Sequence, residues 1–170
     1  WVEQGRFDQD VLKAVEESVA EGQGIIIASN HPKLQAQMSS AFLYQFFKDQ
    51  LTASIGIPFN LGAEGTWINF EGSTEDLNRA LRFAPQCLIV GDQPSILVED
   101  RVDAICASNN GVLCLTMPSA QSTYEWLSLK LADAQVIPYG FRLILNVDAD
   151  TQGNPYLTSA FDLHLQKMMY

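Results

Sequence analysis

Helical patterns and short apolar runs alternate between residues 77 and 116, and this alternation constrains the fold more than any other feature. Two helical stretches are each followed by a continuous apolar run, Cys87–Val90 and Val112–Leu115. Such runs are typical of parallel strands that are covered on both faces. The sequence therefore predicts an α/β fold with a mainly parallel sheet. The helical positions are Leu77, Ala80, Leu81 and Ala84, then Val98, Val102, Ile105 and Cys106.

Asp92 is the chemical focus that this arrangement creates. Gly91 and Asp92 directly follow the first apolar run. In open α/β sheets, ligands bind at the carboxyl ends of the strands. Asp92 could act as a catalytic group, as a metal ligand or simply as a solvated residue. We favour the solvated residue, because the sequence places no acidic partner beside it, and we expect no bound metal or cofactor.

The rest of the chain repeats the pattern and adds a hairpin. Ser73 and Asp76 form a variant of the capping box before the helix at Leu77. Pro32 suits the first turn of a helix after the loop 29–33. We expect the last residues to form a short helix. The further strands are predicted at Gly24–Ala28, Ser54–Ile57 and Thr66–Phe70, followed by an antiparallel hairpin of 141–147 and 156–163.

Length and charge narrow the class of protein. A chain of 170 residues is most simply one domain, here 1–170. Its formal charge of −10 disfavours nucleic-acid and anionic-membrane binding, which need a basic face. No apolar run reaches the roughly 18 residues of a membrane-spanning helix. The three cysteines are predicted to be buried free thiols, as in a reducing cytoplasm. Because the chain starts at Trp1, we expect a fragment of a longer polypeptide.

Several stretches match a known family in their order along the chain and in the residues that end their helices and strands. They are Gly5–Phe7, Gly24–Ile27, Leu77–Asp92, Gly111–Ser119 and Leu131–Tyr139. Together they resemble the C-terminal ATPase domain of the type II secretion and type IV pilus motor ATPases. The resemblance covers roughly residues 5 to 160 and implies a three-layer fold with a RecA-like sheet.

The family's phosphate-binding loop does not carry over. That loop needs glycines whose N–H groups wrap phosphates, a lysine for the β/γ charge and a hydroxyl for Mg²⁺. By the resemblance, Ala36 stands at the lysine position and Gln37 at the hydroxyl position. Lys33 starts three residues too early to replace the lysine, and a solvated His31 is favoured over an anion ligand. Asn30 opens the corresponding stretch, which contains no glycine.

Three other motifs of the family are also substituted. By the resemblance, Gly56 and Ile57 replace the Glu and Asp of the acidic box. Asp92 replaces the Walker B glutamate, and Pro118, before Ser119, replaces the histidine of the histidine box. Four altered motifs at matching spacing imply an inactive relative, since phosphoryl transfer depends on these positioning and charge-stabilising groups.

The resemblance therefore implies a catalytically silent interaction or scaffolding module, not an enzyme. We expect protein partners, among them a pilus or secretion machine, a monomer or small oligomer, and a cytoplasmic location peripheral to the inner membrane. Two alternatives stay open. One is an active nucleotide hydrolase with a rearranged site. The other is a degenerate receiver domain, in which Asp92 would be the phosphoacceptor and Thr116 the switch hydroxyl.

Overall fold

A computed structural model describes residues 7–42, 45–46, 48–57, 66–108, 110–131 and 139–170. Helices and strands alternate along these residues and end in a β-hairpin, as the sequence predicts. In chain order the elements are α1 (Gln9–Ala20), β1 (Gly24–Ala28), α2 (Pro32–Phe42), β2 (Thr52–Ile55), β3 (Trp67–Phe70), α3 (Thr74–Arg82), β4 (Cys87–Val90), α4 (Val98–Cys106), β5 (Gly111–Leu115), α5 (Ala120–Lys130), β6 (Phe141–Ala149), β7 (Pro155–Asp162) and β8 (Lys167–Met168).

All eight strands belong to one mixed sheet in the order β3-β2-β4-β5-β1-β6-β7-β8. The strands from β3 to β6 in that order are parallel, whereas β7 and β8 run antiparallel to their neighbours. The hairpin between β6 and β7 turns at Gly153, which has a φ of +80°. The predicted α/β fold with a parallel sheet and an antiparallel hairpin is confirmed.

The predicted C-terminal helix is wrong. Lys167 and Met168 instead form β8, which pairs with Asp162 and Phe161 of β7. After a short turn, these residues form backbone hydrogen bonds with the exposed edge of β7. A local sequence pattern cannot predict such a bond, because the partner strand is brought there by the fold.

Strand order separates this sheet from that of a receiver domain. A receiver has the order 2-1-3-4-5, so its first strand lies between the second and the third. Here β1 lies between β5 and β6. The receiver alternative is therefore wrong for this chain.

The sheet is the middle of three layers, as predicted. α1 and α2 cover one face, and α3, α4 and α5 cover the other. Side chains of β1 alternate between the two cores, with Ile25 and Ile27 on the first face and Ile26 on the second. Of the three cysteines, Cys87 and Cys114 are buried free thiols as predicted, but Cys106 is exposed.

Helix caps fix the ends of the elements that lead into the sheet edge. Ser73 and Asp76 form the predicted capping box of α3. The Ser119 side chain accepts a hydrogen bond from the Ser122 N–H and caps α5. Within the described residues, no helix is long and apolar enough to cross a bilayer.

Candidate functional site

The turn after β1 lies at the carboxyl edge of the sheet, where the resemblance places the phosphate loop. α2 begins at Pro32, as predicted, so only three residues separate it from β1. The Ser29 N–H donates to the Leu115 carbonyl at 3.1 Å, and the His31 N–H donates to Ser29 Oγ at 3.0 Å. These two N–H groups are thus bonded within the protein and do not converge on a common point, as those of a phosphate nest would.

The Gln35 side chain stabilises this turn from the protein interior. This residue was not identified from the sequence. Its side chain is buried, and its Nε2 donates to the Ser29 carbonyl at 3.2 Å and to the Leu115 carbonyl at 2.8 Å. One amide thereby ties the ends of β1 and β5 together. The available signal was a polar residue next to Leu34 in the first turns of a helix that faces the core.

Asp92 is held by two donors. Arg101 Nη1 donates to its Oδ1 at 2.9 Å, and the Thr116 N–H donates to its Oδ2 at 2.9 Å. The prediction of a solvated Asp92 holds only in part. Its side chain is 30% exposed, but Arg101 comes one turn into α4 and its buried guanidinium reaches back to the strand end.

The ion pair also sets the protonation of Asp92. Partial burial raises the pKa of Asp92, but the hydrogen bond from Arg101 and the bond from Thr116 outweigh it. The pKa of Asp92 therefore lies below its ordinary value. A carboxylate with a lowered pKa, neutralised by a guanidinium, is a poor general base at neutral pH.

Gln93 packs against Gly56, which by the resemblance stands in the acidic box. Its Nε2 donates to the Gly56 carbonyl at 3.1 Å. A Cβ at Gly56 would overlap the Gln93 side chain, and Gly56 has a φ of +69°. Gly72, with a φ of +123°, approaches the same side chain. The glycine at residue 56 is therefore required by packing and backbone conformation.

Asn146 supports the end of β5 and was also missed by sequence reasoning. Its buried side chain donates from Nδ2 to the Ala28 and Met117 carbonyls, both at 3.2 Å. The signal was a single amide in the apolar strand β6. Asn146 holds the stretch that leads to Pro118 and Ser119 against the sheet.

The predicted site residues are only partly brought together. A cleft of about 200 Å³ at the sheet edge contains Ala36 and Asp92 among its lining residues. His31 is exposed, as predicted, and lies 3.5 Å from the Asp148 carboxylate. The remaining predicted positions do not line the cleft. These are Asn30, Lys33, Gln37 and Pro118, which are exposed, and Ser119, which caps α5.

The cleft offers little to a metal ion. Among the described residues, no group of three or more His, Cys, Asp or Glu side chains is placed to bind one. The cleft walls include Pro32, Gln35, Ile57 and Thr116. Asp92 is the only carboxylate among the described residues that line it, and it is already paired with Arg101.

No protein-family model and no curated protein sequence matches the chain, whereas solved structures do match its fold. The VirB11 ATPase of the Brucella suis type IV secretion system, solved with sulphate, matches with a TM-score of 0.70 and 15% identity over 93% of this chain. The Legionella pneumophila ATPase DotB matches with a TM-score of 0.64 and 12% identity over 92%. The pilus retraction motor PilT, solved with ADP, matches with a TM-score of 0.59 and 16% identity over 91%.

This likeness establishes the fold. The RecA-like α/β fold expected from the resemblance is confirmed. The chain shares this fold with the structures of VirB11, DotB and PilT. The chain spans about half the length of these proteins, since it covers 53%, 49% and 50% of them.

Proposed function

We propose that this domain is a catalytically silent relative of the secretion and pilus motor ATPases and acts as an interaction or scaffolding module. The turn after β1 carries the proposal. α2 begins four residues before Ala36, and the buried Gln35 amide bonds the two strand ends. A phosphate-binding loop needs free N–H groups and a lysine at the position of Ala36. In this turn the Ser29 and His31 N–H groups are bonded within the protein, and Ala36 carries no amine.

The paired carboxylate supports the same proposal. Hydrolysis requires a group that orients or activates water and cations that stabilise the phosphates. Asp92 is instead engaged by Arg101 and by the Thr116 N–H. Gln93 occupies the space in which an acidic side chain at residue 56 would lie. Both features favour a structural role over a catalytic role for this edge of the sheet.

Nucleotide binding tests the silent half of the proposal. Isothermal titration calorimetry with Mg-ATP is expected to show no binding below millimolar concentrations. PilT, which was solved with ADP, is a suitable positive control under the same conditions. A micromolar dissociation constant would contradict the proposal and would favour the active hydrolase with a rearranged site.

The interaction role assigns the domain a protein partner. VirB11 belongs to a secretion system and PilT is a pilus retraction motor. We propose a component of such a machine, or another part of the same polypeptide, as the partner. The location would be cytoplasmic and peripheral to the inner membrane. The charge of −10 disfavours both nucleic acid and self-association at low salt.

Oligomeric state and partner capture test the interaction half. Light scattering across a concentration series is expected to give a monomer or a small oligomer. A stable hexamer without nucleotide would contradict this expectation. A pull-down that recovers only unrelated metabolic proteins would remove the basis for placing the domain in a pilus or secretion machine.

A further inference from the structure

A groove runs between α3 and α4 on the face of the sheet opposite α2. It encloses about 380 Å³. Both helices lead from the carboxyl end of one parallel strand towards the amino end of the next, so they lie side by side in the same direction. From Thr74 to Leu81 the α3 wall extends about 11 Å at 1.5 Å per residue, which matches two turns of a third helix. The lining residues are Thr74, Leu77, Asn78 and Leu81 of α3, and Asp100, Asp103, Ala104 and Ala107 of α4 and its cap.

The two walls and the floor differ in chemistry. Leu77 and Ala104 are buried and form an apolar floor. The α4 wall presents Asp100 and Asp103, both exposed and three residues apart on one helix face. The α3 wall carries no charge among its lining residues. The groove is thus apolar at its base and acidic along one side.

No cation of the described chain neutralises this acidic side. Neither carboxylate forms an ion pair within the described residues. The only basic residue of α4, Arg101, points inward to Asp92. Like charges at this spacing on one helix repel each other. A positively charged partner would therefore gain attraction to both carboxylates and would relieve their repulsion.

We propose that this groove binds a cationic amphipathic helix of a separate protein. Apolar side chains of that helix would lie on the floor, and its Lys or Arg residues would face Asp100 and Asp103. This is helix-in-groove recognition, with anchors about three to four residues apart. The inference deepens the proposed interaction role and rests on it, but it is independent of whether the nucleotide site is silent.

These 170 residues do not contain such a helix, so the same residues of a second copy are not the partner. Its ten basic residues are widely spaced. Only Arg79 and Arg82 lie within six residues of each other, and both belong to α3, the helix that forms one wall. Arg79 is also paired with Asp76 at 3.5 Å. The cationic helix must therefore lie outside these 170 residues.

A pair of designed peptides tests the proposal. The probe is a labelled helical peptide of about 15 residues with leucines on one face and lysines beside them, and the matched peptide has glutamate in place of every lysine. By fluorescence anisotropy at low salt, the lysine peptide is expected to bind with a dissociation constant below about 100 µM. Binding is expected to weaken as salt rises, because exposed charges are screened. Weaker binding, or equal binding of the glutamate peptide, would overturn the proposal.

Two charge variants of the protein locate the binding. Asp100→Asn with Asp103→Asn is expected to weaken binding of the lysine peptide about tenfold, since each exposed ion pair contributes roughly two- to five-fold. Glu16→Gln with Asp49→Asn changes the net charge equally at residues that do not line the groove, and it is expected to change binding less than about twofold. If the two double variants weaken binding equally, the peptide is attracted to the net charge of the protein alone, and the proposal of binding in the groove is wrong.

The backbone amides provide a second measurement. In ¹H–¹⁵N spectra the lysine peptide is expected to shift the amide signals of Asn78, Leu81 and Ala107, and shifts confined to another surface would overturn the proposal. The Mg-ATP titration is a separate measurement. If neither the lysine peptide nor Mg-ATP binds, the groove proposal fails and the proposal of a silent nucleotide site stands. If both bind, the silent-site proposal fails and the groove proposal stands.

Discussion

The ion pair between Asp92 and Arg101 provides the sharpest test of how this sheet edge works. If Asp92 is structural, its removal leaves a buried guanidinium without its partner, because the Arg101 side chain is 5% exposed. We consider Asp92→Asn, which keeps the shape of the side chain, and Arg101→Met, which keeps most of the length. The double variant removes both charges and completes the cycle.

The magnitude follows from distance and burial. Two unit charges about 4 Å apart attract by about 4 kcal/mol at an effective dielectric constant of 20. Desolvation offsets part of this, and breaking a fully buried pair costs about 3–5 kcal/mol. The Asp92 side chain is 30% exposed, so we expect about 2–3 kcal/mol for each single variant. The double variant should cost about the same as one single variant, which gives a coupling energy of about 2–3 kcal/mol.

Urea unfolding and thermal melting measure these costs. For a chain of this size, 2–3 kcal/mol lowers Tm by about 5–10 °C. The exposed pair of Lys13 and Glu17, 4.0 Å apart, is the control, and Lys13→Met is expected to cost less than about 0.5 kcal/mol. A catalytic carboxylate is often retained at the expense of stability. An Asp92→Asn variant as stable as the parent, or additive costs in the double variant, would refute the structural role.

Three further outcomes are expected. Gly56→Glu should not restore an acidic box. It should lower the free energy of unfolding by more than about 1–2 kcal/mol, which is the strain of a non-glycine residue in the left-handed conformation. Adding Gln93→Ala should recover part of the Tm, because it removes the side chain that the new Cβ would overlap. Gln35→Leu should lower the free energy of unfolding by about 1–3 kcal/mol, because the Ser29 carbonyl loses the Gln35 donor and the Leu115 carbonyl loses one of its two donors. Because the pKa of Asp92 is lowered in the fold, its contribution is present above its unfolded pKa and is lost as pH falls through the folded value. Urea midpoints below about pH 4 should therefore fall less steeply for Asp92→Asn than for the parent.

Local sequence patterns are sufficient to identify most of the helices and strands. The continuous apolar runs at β1, β4 and β5 are typical of strands covered on both faces, and each of these strands is fully buried. The capping box at Ser73 and the proline at residue 32 located the starts of α3 and α2. These features are local, because backbone conformation and side-chain periodicity are set within a few residues.

The contacts at the carboxyl edge of the sheet, in contrast, depend on how distant segments pack together. The Gln35 amide meets a carbonyl 80 residues away in the chain, and Asp92 meets an N–H 24 residues away. Arg101 pairs with Asp92 across only nine residues, yet its direction depends on how α4 docks on the sheet. β8 formed because β7 offered an open edge. Each of these outcomes depends on which groups the strand order brings within hydrogen-bond distance, and a buried polar group takes whichever partner is there.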